Sequence, residues 1–521
     1  MIEDPDYEAR AAFLQKEETY GAGVAAVERI DTHIATVFLA GAEAYKIKKP
    51  VDRGYLDFTT LEKRKWALER ELELNRRITP EIYLDLRAIV RDSRGALRLA
   101  AVEDAGADEV VDYALHMRRF DPDCVMSRLA ERGALTIEAV EAAARKAAAF
   151  HARAEIVADR RAEAAMRWLL RSNRAQFAGL PDRVFAAARW TALLERMEAE
   201  IDRLGAALAR RDAHARIRLC HGDLHLGNIF VEKGEPFLFD CIEFNEEMPR
   251  IDVLYDLAFL LMDLKHRGLD DHCARALNAY FSALGRDVWR IDIEGLAALP
   301  LYMSMRAAIR AFVSAQTVLV SDSRAPDAKF AESRAYLELA WTLLDAAPPR
   351  AIAIGGLSGT GKSTVARAIA GRIPGPAGAL ILRTDEIRKR RAGVALDEKL
   401  PPDAYAPAES AAVYAEMFEA GRAALAAGQA VIFDAVFLRP EERAAAAAAA
   451  AGAGFAGFWL EAPAAALRAR VTARRGDASD ADARVVEAQL RQDAGEIDWM
   501  RIDSQSSERA AKDILTALER G

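Results

Sequence analysis

The chain has 521 residues, 52% of them hydrophobic and 29% charged, with a formal net charge of −8 at pH 7. That length exceeds what one core supports, so two or three domains are expected, and the acidic balance argues against a surface coated for nucleic acid. No uninterrupted apolar stretch reaches membrane-spanning length, and the opening MIEDPDYEARAAFLQ lacks the charged-then-apolar layout of an export signal, so a cytoplasmic protein is expected.

In chain order, Glu43-Ala44-Tyr45-Lys46-Ile47-Lys48 is strand-like, and alternation puts Lys46 and Lys48 on one face. Thr59 then offers an N-cap, with Glu62 three positions on, for a helix that runs to about Arg77. On that helix Leu61, Leu68 and Leu72 form one apolar stripe and Ala67 and Ile78 a second, with Glu71 between them. Glu69 instead lies among Glu62, Lys65, Glu73 and Arg76 on a solvated face. A carboxylate in an apolar setting needs a partner, so Glu71 is expected to pair with a strand lysine or, more simply, with Arg64. Residues 111–117 read as a strand that enters the connector 118–122, the form a hinge between two lobes takes. The four cysteines (Cys124, Cys220, Cys241, Cys273) follow no metal or disulfide spacing, and Cys220 and Cys241 read as small buried packers.

Residues 221–230 read HGDLHLGNIF. Asp223 and Asn228 have the spacing of the base and the Mg²⁺-binding Asn in a kinase catalytic loop. The apolar runs 229–231 and 236–239, joined by Lys233-Gly234-Glu235, read as a hairpin that delivers Asp240 beside that pair. On these residues the segment resembles the aminoglycoside phosphotransferase and choline-kinase-like branch of the protein-kinase-like fold. The resemblance implies a two-lobed domain that uses ATP and Mg²⁺. Asp223 would orient or deprotonate the acceptor hydroxyl, Asn228 and Asp240 would hold Mg²⁺, and His221 would brace the loop. His225 either touches substrate or caps the turn. The resemblance also implies an ATP-clamping lysine, with Lys46 preferred and Lys48 the alternate, paired with Glu71, and adenine contacts from the backbone near Met117 and Arg119. One departure is plain: no glycine-rich loop occurs, and residues 30–37 take its place, with Thr32 and His33 left to cover the phosphates. Asp252 and Asp256 read as supports of the catalytic loop.

Pro348 and Pro349 end the preceding helix, which sets a first domain at 1–345, with its small lobe to about 115, and a second at 346–521. Ala351-Ile352-Ala353-Ile354 runs directly into GGLSGTGKST, a phosphate-loop pattern matched at Gly356, Gly361, Lys362 and Ser363. Gly356, Gly359 and Gly361 let backbone N–H groups, those of Ser358 and Thr360 among them, converge on phosphate oxygens. Lys362 brings charge to the β- and γ-phosphates, Ser363 offers an oxygen to Mg²⁺, and Thr364 opens the facing helix. Strands at 379–382 and 430–433 deliver Asp385 and Asp434 to the carboxyl edge of a parallel sheet, where ligands gather. Asp385 would accept a proton, Arg388 would grip an anionic acceptor, and Asp434 would bind Mg²⁺. Arg470, Arg474 and Arg475 read either as a lid over the γ-phosphate or as an exposed basic helix face. This part resembles gluconate kinase, zeta-toxin-type kinases and the 5′-hydroxyl polynucleotide kinases.

The expectation is a fused bifunctional phosphotransferase, α+β then α/β: a protein-kinase-like two-lobed domain followed by a P-loop NTPase domain with a parallel sheet. Each would use Mg-ATP on small-molecule hydroxyl acceptors, with no membrane partner. Besides a protein kinase or toxin partner, two alternatives stand beside it. One is a nucleic-acid 5′-hydroxyl kinase, which the Asp385-x-x-Arg388 match permits and the net charge disfavours. The other is a kinase-like domain regulated by a nucleotide-sensing P-loop domain.

Overall fold

The computed structural model describes residues 5–32, 34–52, 56–322, 324–345, 347–473 and 478–520. The chain resolves into two compact units, one of Met1–Ala139 with Arg218–Ile251 and one of Val140–Ile217 with Asp252–Gly521.

The first unit is built on six antiparallel strands: β1 (Val27–Asp31), β2 (Ala35–Ala40), β3 (Glu43–Lys48), β4 (Tyr83–Arg91), β5 (Leu97–Ala101) and β6 (Glu109–Arg118), in the order β1-β2-β3-β6-β4-β5. Alternation gives the sheet two apolar faces. One carries Phe38, Tyr45, Ile47, Ile89 and Ala114 under the Pro5–Leu14 helix, which contributes Tyr7, Ala11 and Leu14. On the other, Leu115 packs with Ile82, Tyr83, Phe230 and Leu68 of the Leu61–Arg76 helix. That helix is capped by Thr60, whose side chain accepts from the Lys63 N–H, and not by Thr59. The carboxylate of Asp57 takes both the N–H (3.0 Å) and the hydroxyl (2.6 Å) of Thr59, which turns it out of the cap position.

Next in chain order come β7 (Ile217–Leu219), the hairpin β8 (Ile229–Glu232) and β9 (Glu235–Leu238), and β10 (Arg250–Asp252). The rings of Phe120 and Phe237 stack on Phe230, 4.1 and 4.8 Å from its centroid. Burying one such ring is worth about 1.5–3 kcal/mol. The half-exposed Arg118–Glu232 pair at 3.0 Å adds about 0–1 kcal/mol, so aromatic packing sets the position of the hairpin.

In the second unit the Val253–His266 helix is buried from Val253 to Leu264, and the Leu299–Ser321 and Ala331–Leu344 helices pack on each other. One helical run, Arg286–Ser321, is long and apolar enough by length and composition to cross a membrane, but 72% of its apolar window is buried inside the protein. Asp252 caps the Val253–His266 helix through the Leu254 N–H and receives two hydrogen bonds from Arg211, while Asp256 bonds His151, so both acids sit in structural networks.

The same unit holds five parallel strands, β11 (Arg350–Gly355), β12 (Leu380–Arg383), β13 (Val431–Asp434), β14 (Gly454–Glu461) and β15 (Met500–Asp503), in the order β12-β13-β11-β14-β15. Asp434 stands level with Ile354 on one side and Arg383 on the other. β12 is an edge, and Asn278 of the Asp270–Ser282 helix covers it like a fragment of strand, donating to the Ala379 carbonyl (2.9 Å) and accepting from the Ile381 N–H (2.7 Å). Ala274 of that helix joins the core of the sheet, and the proline-marked junction at 348–349 therefore lies inside the second unit.

Candidate active sites

In the first unit the Lys46 amine lies 2.7 Å from Glu71 Oε1 and 2.9 Å from Asp240 Oδ1. Lys48 reaches the other oxygen of Glu71 at 2.7 Å and Glu243 at 2.5 Å. Both lysines thus share one carboxylate, and Arg64 pairs with Asp112 instead. Lys46 retains 13% exposure and faces Asp240, whereas Lys48 is fully buried. Burial alone would raise the Glu71 carboxyl; the charges of Lys46 and Lys48 and their hydrogen bonds reverse this and hold it at about 2. Burial works against the Lys46 ammonium too, but Asp240 and Glu71 keep it charged, well above its ordinary range. Glu243, buried and near the charge of Glu71, is raised in spite of Lys48.

The HGD loop is held from within. His221 Nε2 donates to the Phe239 carbonyl (2.9 Å) and its Nδ1 accepts from the Asp223 N–H (3.3 Å), which ties the loop to the end of the hairpin. The Asn228 amide donates to both the carbonyl (2.9 Å) and the carboxylate (2.8 Å) of Asp223. This fixes the amide orientation and turns its oxygen away from Asp223. His225 Nδ1 accepts from the Gly227 N–H at 2.9 Å and its Nε2 lies 3.3 Å from Asp223, so both ring nitrogens serve the loop, and the ring caps the turn rather than reaching outward. Asp223 keeps 35% and Asp240 43% exposure. Asp240 has φ +64°, a backbone conformation that a side chain rarely adopts, and its N–H donates to the Tyr83 hydroxyl (3.0 Å). Next to it, the Cys241 N–H donates to Asn75, which itself donates to the Glu71 carbonyl. One asparagine thereby ties the helix of Glu71 to the loop of Asp240.

Two expected contacts differ. Met117 lies inside the sheet opposite Ala44 and Tyr83, and the Arg119 N–H donates to the Ala42 carbonyl at 2.9 Å, so that donor is already engaged within the fold. The Thr32 hydroxyl is bonded both ways to Ala35 and closes its own turn. His33 lies outside the described residues.

In the second unit, β11 ends in Gly355 and the loop turns through Gly356 (φ +135°), Gly359 (φ +89°) and Gly361 (φ +90°) into the Lys362–Ile369 helix. A Cβ at Gly356 or Gly359 would stand 2.6 or 2.7 Å from the carbonyl oxygen of Leu460 or Leu467. The Lys362 amine folds over the loop to the Gly356 and Leu357 carbonyls (2.9 and 3.1 Å) and the Thr360 hydroxyl donates to Leu357, while the Ser358 and Thr360 N–H groups, expected to meet phosphate, donate instead to Gln489 and the Leu357 carbonyl. Ser363 Oγ donates to Asp434 Oδ2 at 2.6 Å, and Arg383 Nε lies 3.2 Å from the same oxygen.

Ser358, Gly359, Gly361, Lys362, Ser363, Arg383 and Asp434 border a cavity of about 1160 Å³ that Thr364, Asp385, Arg388, Tyr405 and Arg470 also line. Burial raises the Asp385 carboxyl, and the Asp434 charge adds to it, against the pull of Arg383. Arg388 donates to the Ala404 carbonyl (2.5 Å) and Ser410 Oγ (3.3 Å) and lies over the Tyr405 ring at 4.7 Å. Arg470 departs from the lid expectation, because its guanidinium donates to three backbone carbonyls, Gly359, Ser504 and Gln505, and braces the loop from the side. Arg474 and Arg475 lie outside the described residues. Asp480 accepts from Lys389, the Leu400 N–H and the Tyr405 hydroxyl.

Sequence reasoning missed Glu243, Arg383, Asn75, Gln489 and the role of Asp480. Glu243 carried the signal that singled out Glu71, an acid between Ile242 and Phe244; Gln489 carried none.

Residues 92–291 match the Phosphotransferase enzyme family and residues 352–493 match an AAA domain. Uncharacterized protein Rv2004c of Mycobacterium tuberculosis is 32% identical over 484 residues, 90% of each chain. Among solved structures, a choline/ethanolamine kinase family protein from Mesorhizobium loti is 13% identical over 65% of this chain and 98% of its own, with a TM-score of 0.37. A gluconokinase from Sinorhizobium meliloti is 26% identical over 33% of this chain and 93% of its own, with a TM-score of 0.24.

Proposed function

The chain belongs to the family of the mycobacterial protein Rv2004c and is an ATP-dependent phosphotransferase, and we propose that it transfers phosphoryl groups at two separate sites. Residues 1–345 would carry the first and residues 346–521 the second. Each takes Mg-ATP and passes the γ-phosphoryl group to a hydroxyl of a small molecule in the cytoplasm, without nucleic acid or membrane as partner.

The observation that carries the first site is one amine, Lys46, held between Glu71 and Asp240 while Asn228 fixes Asp223. The donor set suits a hard cation: a carboxylate at Asp240 and the amide oxygen of Asn228. The second site offers a matching pair, the Ser363 hydroxyl and the Asp434 carboxylate. Held by Asn228 and Asp240 or by Ser363 and Asp434, Mg²⁺ would neutralise charge on the β- and γ-phosphates. At the first site Lys46 meets phosphate, Glu71 keeps that lysine in place, and Asp223 receives the proton of the acceptor hydroxyl as its oxygen bonds the γ-phosphorus and the bond from that phosphorus to the β–γ bridging oxygen breaks, releasing ADP. At the second site Lys362 and the N–H groups that open its helix hold the phosphates, and Asp385, whose raised pKa suits proton acceptance, takes the acceptor proton. Arg388 lines that cavity as a cation for an anionic acceptor.

The test is phosphate uptake from γ-labelled ATP across a library of hydroxyl metabolites, with wild type, Asp223→Asn and Asp434→Asn. Two acceptor sets are expected, each lost in one variant and kept in the other. Acceptors phosphorylated equally well by both variants overturn the reading.

A further inference from the structure

A separate cavity of about 380 Å³ lies inside the second unit, between residues of the Asp270–Ser282 helix and β12. Among the described residues, Arg145, Arg275, Arg367, Arg383 and Arg390 line it against two carboxylates, Glu141 and Glu386, an excess of three positive charges in the lining itself, with Asp434 behind Arg383. Those carboxylates are already engaged: Glu141 by Arg275 at 2.6 Å and Arg145 at 3.7 Å, Glu386 by Arg383 at 3.0 Å.

Arg390 makes the imbalance acute. It is buried, and among the described residues no carboxylate comes within ion-pair distance of it. Its guanidinium donates to the Leu284 and Phe281 carbonyls, both at 3.2 Å, and lies 4.3 Å from the Trp289 ring centroid. Burial pulls its pKa below the ordinary arginine value, against the more distant charges of Glu386 and Glu416. A desolvated cation whose counter-charges stand beyond ion-pair distance is costly, and an anion in the cavity offsets that cost.

We propose that this cavity is a binding site for a phosphate group, either inorganic or carried by a small monoester. A phosphate dianion answers an excess of three cations better than a single carboxylate does, and planar guanidinium forks pair with its oxygens two at a time. The volume is at the small end of ligand pockets, suited to a compact phosphate compound and not to a nucleotide. The cavity also has a route to the P-loop site, since Arg383 lines both cavities and its Nε lies 3.2 Å from Asp434. An anion that draws Arg383 away releases Asp434. That coupling rests on the proposed role of Asp434; the binding itself does not.

The test uses the full chain carrying Lys362→Ala, which weakens phosphate binding by the P-loop. Calorimetric titration with inorganic phosphate and, separately, with glycerol 3-phosphate should show saturable binding, and the tighter of the two identifies the source. Adding Arg145→Ala and Arg275→Ala leaves Glu141 facing the cavity without its partners and should weaken that binding about tenfold or more, with an unchanged thermal midpoint in the absence of phosphate. No saturable binding, or binding unmoved by these two substitutions, overturns the proposal. ATP titration of wild type, independent of Arg145 and Arg275, reports separately on the nucleotide sites.

Discussion

Two lysines on one buried glutamate is an arrangement with energetic consequences. Glu71 is fully buried, and removing one partner from a buried ion pair costs about 3–5 kcal/mol because a charge is left unanswered. Glu71→Gln should therefore lower the unfolding free energy by about 3 kcal/mol, read by urea denaturation at pH 7. The pH dependence has a definite sign. The folded-state pKa of Glu71 is depressed from 4.5 to about 2, so its stabilisation is full above about 4.5 and fades as pH falls toward 2. The gap between wild type and Glu71→Gln should narrow across that window; a constant gap would mean that Glu71 is not ionised in the folded chain. Asp223→Asn keeps the shape of the loop but removes the proposed proton acceptor, and transfer at the proposed first site should drop by about 10²–10⁴-fold, with labelled phosphate as the readout. Wild-type turnover in this variant would take the base role from Asp223.

The phosphate loop depends on glycine where the backbone is left-handed and crowded. Gly359→Ala would bring a Cβ to 2.7 Å from the Leu467 carbonyl at φ +89°, and the loop must shift. Nucleotide affinity at that site should fall by about tenfold or more while Asp223-dependent transfer is unchanged, as equilibrium dialysis and activity assays would report. Both loops were readable from sequence because each function is packed into a dozen consecutive residues with fixed spacing. What could not be read spans long separations. Lys48 and Glu243 meet across 195 positions, and Arg470 reaches carbonyls at 504 and 505, where any residue type presents the same oxygen. The choice of Thr60 over Thr59 as cap turned on Asp57, a competition that the pattern of capping residues does not encode. Strands β14 and β15 also escaped notice, since the first is broken by Gly454 and Gly457 and the second is four residues with Arg501 and Asp503 in it.

The two sets of side chains proposed to handle phosphate lie in different units, with Lys46, Glu71, Asp223, Asn228 and Asp240 in one and the residues from Gly356 to Asp434 in the other. Each set closes its own hydrogen-bond network, so loss of one is expected to leave the other standing. The most direct measurement is calorimetric titration with a non-hydrolysable ATP analogue in the presence of Mg²⁺, on wild type, Asp240→Asn and Lys362→Ala. Two binding events are expected in wild type, with one weakened in each variant and a different one each time. A single event in wild type, or the same event lost in both variants, would contradict two independent nucleotide sites.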